Sequence, residues 1–409
     1  MIVYRLTLRT RSPLVLASRQ AAQGGATRSR DYIPGSVLRG ALAGALLRAG
    51  HSSDSAWFQT LFSQELVRYG CLYPTEEEAV TATWPLPPTA WSCKIQSGFL
   101  PQQGTLPSPE DAHGVLDTLV SQLAHTWLKH ERCQHDGCGS LREPLGGYYA
   151  QREDGSYLQP THSRRLITRT AISGRWGSAR HGSLHTVEAI EDGQAFVGFV
   201  HVADSAAQDA RRALQQVRDT GALRLGLGLS RGLGQVDISS IDEEEGHLGL
   251  AQPLSERWRV PDLSQHISGL SAERFAFSIT LYSDAILLDD FGRYQVALNE
   301  EAWRRILRYA GQPPAGLANW PQSIRYHWGA TAAHPVYNWR FAPGWGKRSS
   351  EELAVTRGSV FVCTALRQEE AAVLALLERL EATGIGRRRA EGFGQIVVGH
   401  PWHREEVLR

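Results

Sequence analysis

Two groups of residues in this chain could do chemistry by type and spacing: cysteines set near histidines, and arginines set inside glycine-rich turns. Three of the five cysteines fall between Cys93 and Cys138. Cys133 and Cys138 form a CxxxxC, wider than the CxxC of a standard zinc knuckle. Cys93 and His113 would complete a set of three thiolates and one imidazole, with His130 and His135 competing for the fourth position. An odd cysteine count without a signal-like leader suits a metal better than disulfides. The surrounding segment is rich in turn residues, so an ion could replace a missing core there. One structural zinc is expected, held by Cys93, His113, Cys133 and Cys138. Cys71 and Cys363 lie in apolar surroundings and read as core.

The glycine-rich turns come as a pair. Gly226-Leu227-Gly228 leads through Arg231 and Gly232 to Gly234-Gln235-Val236; Gly384-Ile385-Gly386 leads through Arg387, Arg388 and Arg389 to Gly392-Phe393-Gly394-Gln395-Ile396. Both read GxG, an arginine-bearing insert, then GxGQ and a β-branched residue. A dinucleotide fingerprint needs strand, glycines, then helix. Here a helical pattern precedes the glycines and a strand follows, and no GK[ST] is present, so no nucleotide cofactor is expected. The remaining use is a loop lying close to a backbone, with glycine supplying positive φ and arginine the phosphate contact. A bland alternative is a tight turn and nothing more.

A basic stretch lies between. Residues 161–185 hold His162, Arg164, Arg165, Arg169, Arg175, Trp176, Arg180, His181 and His185, with no acidic residue. Such a run is usually a solvated face, yet arginines interleaved with an aromatic also suit a hairpin that touches phosphates and stacks on a base. Arg28, Arg30 and Arg39 would extend the face, and the helix start near Ser36 would add amide dipoles. Residues 337–348, rich in Tyr, Trp and Arg, form a counterpart in the second half.

These residues need elements to position them. The chain opens on an alternating strand, Ile2 to Leu8, then a Ser-Pro turn and Leu14-Val15-Leu16; Phe275 to Leu288 repeats the pattern with a Ser-Asp turn. Ser36 is a plausible N-cap for a helix carrying Leu38, Leu42 and Leu46. Helices are also expected over 206–218, 298–310 and 369–382. Strand, helix, hairpin, helix, strand is the βαββαβ order of the ferredoxin-like (RRM-like) fold. The expectation is an α+β chain of two such domains: 1–250, with an insertion at about 50–160, and 272–409, joined by a polar linker at 251–271.

Composition bounds the function. The 409 residues are 42% apolar with a net charge of +1, which permits a large core and argues against a uniformly basic coat while leaving room for a local basic groove. No run of 18 apolar residues appears, so no membrane association is expected and the cytoplasm is the expected location.

Tyr32-Ile33-Pro34-Gly35-Ser36-Val37-Leu38-Arg39-Gly40-Ala41, the two glycine-rich loops, and Thr168-Arg169-Thr170-Ala171-Ile172 followed by Leu184-His185 and Phe196-Val197-Gly198 resemble the RAMP superfamily of CRISPR proteins. The resemblance covers both halves and leaves out mainly 50–160. Two such halves with a cysteine-bearing insertion look most like the large two-domain RAMP subunit of type III-D effector complexes. That resemblance implies a subunit that binds crRNA, holds its 5′ repeat-derived handle, sits beside the large subunit and a backbone RAMP subunit, and meets target RNA indirectly. The implied RNA contacts are Arg28, Arg30, Ser36, Arg39, Arg164, Arg165, Arg169, Arg175, Trp176, Arg180, Gly226, Gly228, Arg231, Gly232, Gly384, Gly386, Arg387, Arg388, Arg389, Gly392 and Phe393, with Arg387 to Arg389 the first choice.

RAMP proteins include nucleases. Subunits that cut target RNA carry an aspartate between the first strand and the PGS helix, but residues 17–30 contain no Asp or Glu. Asp31 abuts Tyr32 and reads as a turn residue. The crRNA-processing branch often uses a histidine near the first helix, for which His51 is nearest. No catalytic residue is expected. The competing readings are a crRNA-processing endoribonuclease, a target-cleaving backbone subunit, and a protein scaffold that touches no RNA.

Overall fold

The computed structural model describes residues 1–16, 28–76, 82–102, 108, 110–179, 182–221, 223–315, 317–336 and 351–404. It divides into two compact units, residues 1–83 with 160–248, and residues 84–159 with 249–409.

The first unit runs β1 (Ile2–Thr10), α1 (Gly35–Arg48), β2 (Val67–Thr75), β3 (Ala195–Val202), α2 (Ala207–Thr220) and β4 (Val236–Glu244). Its antiparallel sheet has the order β4-β1-β3-β2, which is the ferredoxin-like arrangement. β1 alternates because only one face packs on the helices: Tyr4, Leu6 and Leu8 join Leu38, Leu42 and Leu46 of α1 and Leu214 and Val217 of α2 in one core. Leu38, Leu42 and Leu46 fall on one helix face as their spacing predicts.

The second unit repeats the order: β5 (Arg274–Leu281), α3 (Glu300–Tyr309), β6 (Arg325–Ala330), β7 (Val360–Leu366), α4 (Glu370–Thr383) and β8 (Ile396–Val398), with the sheet β6-β7-β5-β8. The fold is therefore α+β with two βαββαβ units, as expected. α3 is capped by Asn299, whose side chain accepts from the Ala302 N–H at 3.0 Å. β5 is buried along nearly its whole length, not alternately. Phe275, Phe277 and Ile279 face the helices. Ala276, with Val360 and Val362 of β7, is covered on the other face by Leu119, Leu123, Leu263 and Ile267.

Those covering residues correct two boundaries. Residues 50–83 supply a helix, Ala56–Phe62, and β2 to the first unit, whereas 84–159 belong to the second. Aromatic packing explains this: Trp84 meets Tyr282 and His400 edge-on, and Tyr149 lies 4.5 Å from Trp402. Asp117 accepts from buried His403 at 2.8 Å. The segment expected as a linker, 251–271, is likewise part of the second unit. Leu254, Trp258 and Leu263 are buried, and Arg257 forms a buried ion pair with Glu381 of α4 at 2.6 Å while donating to the Val398 carbonyl.

Candidate nucleic-acid interface and metal centre

In both units the order helix, glycines, strand holds, and each loop is clasped by the segment after the first strand. Leu227 N–H donates to Val15 O at 2.9 Å, Gly234 N–H to Pro13 O at 2.9 Å and Gln235 N–H to Ser12 Oγ at 2.9 Å. Arg387 N–H donates to Ile286 O at 3.0 Å, Gly394 N–H to Asp284 O at 2.8 Å and Gln395 N–H to Ser283 Oγ at 2.9 Å. The repeat thus extends to individual hydrogen bonds, and the Ser-Pro and Ser-Asp turns are equivalent.

This clasp sets a structural requirement at two glycines. A Cβ on Gly226 (φ +79) would sit 2.2 Å from Val15 O, and one on Gly386 (φ +75) 2.4 Å from Ile286 O. Here the close approach that demands glycine is to the chain itself. Gly228, Gly232, Gly384 and Gly392 also have positive φ and shape the same turns. Around Gly232 a Cβ would meet nothing within 4 Å, so the tip of the first loop is open.

The arginines separate by their partners. Arg231 is exposed at that open tip and has no ion-pair partner among the described residues. Arg28 is exposed; Arg30 donates to Tyr32 Oη at 2.8 Å and lies over its ring. The Arg30 N–H donates to Leu16 O at 2.7 Å, which ties this strand of basic residues to the clasp. Arg39 is committed elsewhere: it donates to the Phe62 carbonyl at the end of the helix Ala56–Phe62, a C-terminal cap. Ser36 does not cap α1. Pro34 is the N-cap, no side-chain cap bond forms, and Ser36 is the second helical residue.

The basic stretch forms a hairpin, Arg164–Arg169 against His185–Ile190. It leaves the clasp directly, since Leu14 and Ile190 exchange backbone hydrogen bonds of 2.9 and 2.8 Å. Arg165 and Arg169 lie along it without ion-pair partners among the described residues. Arg175 lies 5.1 Å over the ring of Trp176, which is 73% exposed. Arg164 is drawn off by Glu188 at 2.5 Å. His162 does not add charge: burial, then repulsion by Arg164, lower its pKa to about 4. Arg180 and His181 lie outside the described residues. The second unit has the equivalent hairpin, Ala333–Val336 against Glu352–Val355, where Ala285 and Val355 exchange backbone bonds of 2.9 and 2.8 Å. The aromatic counterpart, 337–348, lies outside the described residues.

The second loop differs in charge. Arg388 pairs with Glu352 at 3.0 Å and Glu391 at 2.6 Å and lies 4.7 Å over Phe393. Burial would lower its pKa, but the two carboxylates outweigh burial and hold it raised. Arg387 also reaches Glu352, at 3.2 Å. Arg388 is thus engaged with Phe393, with buried Glu352 and with Glu391, so it has a structural role in the loop. Sequence reading missed this because Glu352 is far off in the chain. Position in the hairpin is the only signal, and that needs the fold.

The cysteine cluster closes as expected. The ligand atoms of Cys93, His113, Cys133 and Cys138 all lie within 4.8 Å of one another. Cys93 Sγ is 3.7 Å from Cys138 Sγ, and Cys133 Sγ is 3.4 Å from His113 Nδ1. A tetrahedron with Zn–S bonds of about 2.3 Å has edges of about 3.8 Å, so the spacing suits an ion at the centre. Cys93 ends the strand Ala90–Cys93 and His113 precedes Val115–Asp117, so the β-pairing of these strands fixes two ligands. Burial opposes ionisation of Cys93, but the Gln96 and Ile95 N–H groups and the neighbouring thiols lower its pKa. Burial first, then His135, lower that of His113, favouring the neutral ligand form. His135 stacks 4.0 Å from His113 with the rings parallel and is not in the cluster. Cys71 and Cys363 are buried, as expected, and burial pushes the Cys363 thiol up to about 12.

His51 follows α1, bonds Gln216 through Nε2 and packs 4.7 Å from Trp57. A partly exposed histidine, His334, sits 3.3 Å from buried Asp284, and Thr356 engages its other nitrogen at 3.2 Å. Burial opposes the charge of Asp284, but Arg357 and His334 hold its carboxyl well below the usual range. Both histidines are held by structural partners on the nitrogens described.

No family model and no curated protein matches the chain. Among solved structures, it is similar to a chain of the type III-B Cmr-beta complex bound to cognate target RNA and AMPPnP, at 12% identity and TM-score 0.38, covering 88% of this chain and 86% of that one. It is similar to a Cas6 protein in a product complex at 12% identity and TM-score 0.38, covering 97% and 99%. A third, a CRISPR-associated Cas6 protein, stands at 8% identity and TM-score 0.35, covering 97% and 98%. At such values the fold assignment rests on the two sheet orders above.

Proposed function

We propose that this chain is a crRNA-binding subunit of a type III CRISPR effector complex, that it holds the 5′ repeat-derived handle of the guide, and that it has no cleavage chemistry of its own. The observation that carries the reading is the first unit's clasp. From one segment, Leu14 to Leu16, depart an open glycine-rich tip with Arg231, the Arg28–Arg30 segment, and a hairpin bearing Arg165, Arg169, Arg175 and exposed Trp176. Phosphate contact and base stacking need such cations and such an aromatic on one surface. The RAMP-like motifs stand on the same elements. The first loop is the better candidate for the main RNA contact, because Glu352 and Glu391 engage Arg388 and Glu352 also draws on Arg387 in the terminal one. The neighbours in this reading are the large subunit and a backbone RAMP subunit. Zinc at Cys93, His113, Cys133 and Cys138 would be structural, since all four positions of a tetrahedron are filled by protein.

The test is incubation of the purified protein with repeat-derived RNA, following bound fraction and strand integrity together. Salt-sensitive binding with intact RNA is expected. A single metal-independent cut, lost in His51→Ala, would replace this reading with that of a processing endoribonuclease.

A further inference from the structure

The second unit contains a pocket of about 210 Å³ beside the terminal glycine-rich loop. Its floor is apolar, from Leu288, Ile306 and Leu380; its rim carries Arg305, Arg387 and Arg389, and none of its lining residues is acidic. Arg305 lies 5.2 Å over the ring of Tyr309, and its guanidinium donates to a neutral acceptor, the Asp289 carbonyl, at 2.7 Å, with no ion pair among the described residues. Tyr309 is 63% exposed at the last turn of α3, unusual for a ring that could pack inward.

Each feature narrows the ligand. The volume is below that of ordinary small-molecule sites, so the occupant is about the size of one nucleobase with its sugar-phosphate at the mouth. The three arginines of the rim favour an anion, with Arg387 sharing its charge with Glu352 behind the pocket. The Arg305–Tyr309 stack offers a flat surface, which an unstacked base covers and an inorganic anion does not.

We infer that this pocket takes a single splayed-out nucleotide of the bound RNA, its base on Tyr309 and Arg305 and its phosphate at Arg387 and Arg389. The inference rests on the RNA-binding reading above and adds a base-stacking subsite in the second unit that the glycine-rich loops alone do not imply. In this arrangement Arg387 shares its charge between Glu352 and the phosphate.

The experiment is filter binding of the full chain to repeat-derived RNA, intact and with one abasic position at a time, for the parent, Tyr309→Ala and Tyr309→Phe, with AMP as competitor. Stacking contributions predict about a ten-fold loss for Tyr309→Ala with the salt dependence unchanged, and near-parent affinity for Tyr309→Phe. One abasic position should cause a similar loss and make Tyr309→Ala without further effect. Parent binding that neither Tyr309→Ala nor any abasic position weakens would overturn the pocket and leave the RNA-binding reading standing. No RNA binding by the parent would overturn both. AMP bound with the Tyr309 dependence but without RNA binding would assign the pocket to a free nucleotide instead.

Discussion

At the residue scale, the arginines divide into those that hold the fold and those left to hold something else. Arg388 belongs to the first kind: removing it leaves buried Glu352 with one partner fewer. Arg388→Ala is expected to cost about 1–3 kcal/mol of stability in denaturant unfolding, because Glu352 keeps only Arg387 and Glu391 loses its guanidinium. Arg231→Ala should leave stability unchanged and reduce the salt slope of RNA binding by about 0.7, the share of one single-strand phosphate. His162 gives a pH prediction. Its folded pKa is about 4, below the ordinary 6.5, so the unfolded chain binds the extra proton. Its stabilising contribution is full above pH 6.5 and is lost as pH falls toward 4. Thermal melts across that window should show a decline that His162→Gln lessens, by no more than about 3 kcal/mol.

At the scale of elements, much was legible in the sequence and some was not. The four helices were readable from apolar spacing, and the glycine pair was readable as a repeat, because local periodicity and φ > 0 positions leave direct marks. The cluster of Cys93, His113, Cys133 and Cys138 was readable because few residue types bind zinc. What the glycines approach was not readable: Val15 and Ile286 meet them only after the sheet forms. The membership of 84–159 was hidden because its anchors, Trp84, Tyr149 and Asp117, find their partners at Tyr282, Trp402 and His403, more than 190 positions on. The supposed linker was misread because polarity at Arg257 masks a buried pair with Glu381. Gly226→Ala should cost about 2–4 kcal/mol in unfolding experiments, since a Cβ would meet Val15 O at positive φ. The metal segment should bind one zinc per chain, measured by elemental analysis. Cys93→Ser or chelation should lower the melting temperature of the second unit without touching Arg231 or the hairpin.

At the scale of the whole molecule, two copies of one clasp have diverged in charge. The same backbone hydrogen bonds position an open arginine tip in the first unit and a carboxylate-braced one in the second. Among the described residues no helix is long and apolar enough to cross a membrane. In the proposed reading each unit contributes its own cationic feature, and phosphate contact by such features needs no reacting group.

The most direct test is the salt dependence of binding to repeat-derived RNA for the parent and for a variant with Arg165, Arg169, Arg175 and Arg231 all changed to alanine. For the parent, log affinity should fall steeply and linearly with log salt, and the variant should bind more weakly with a slope reduced by about two to three. A variant that matches the parent in both affinity and slope would contradict it.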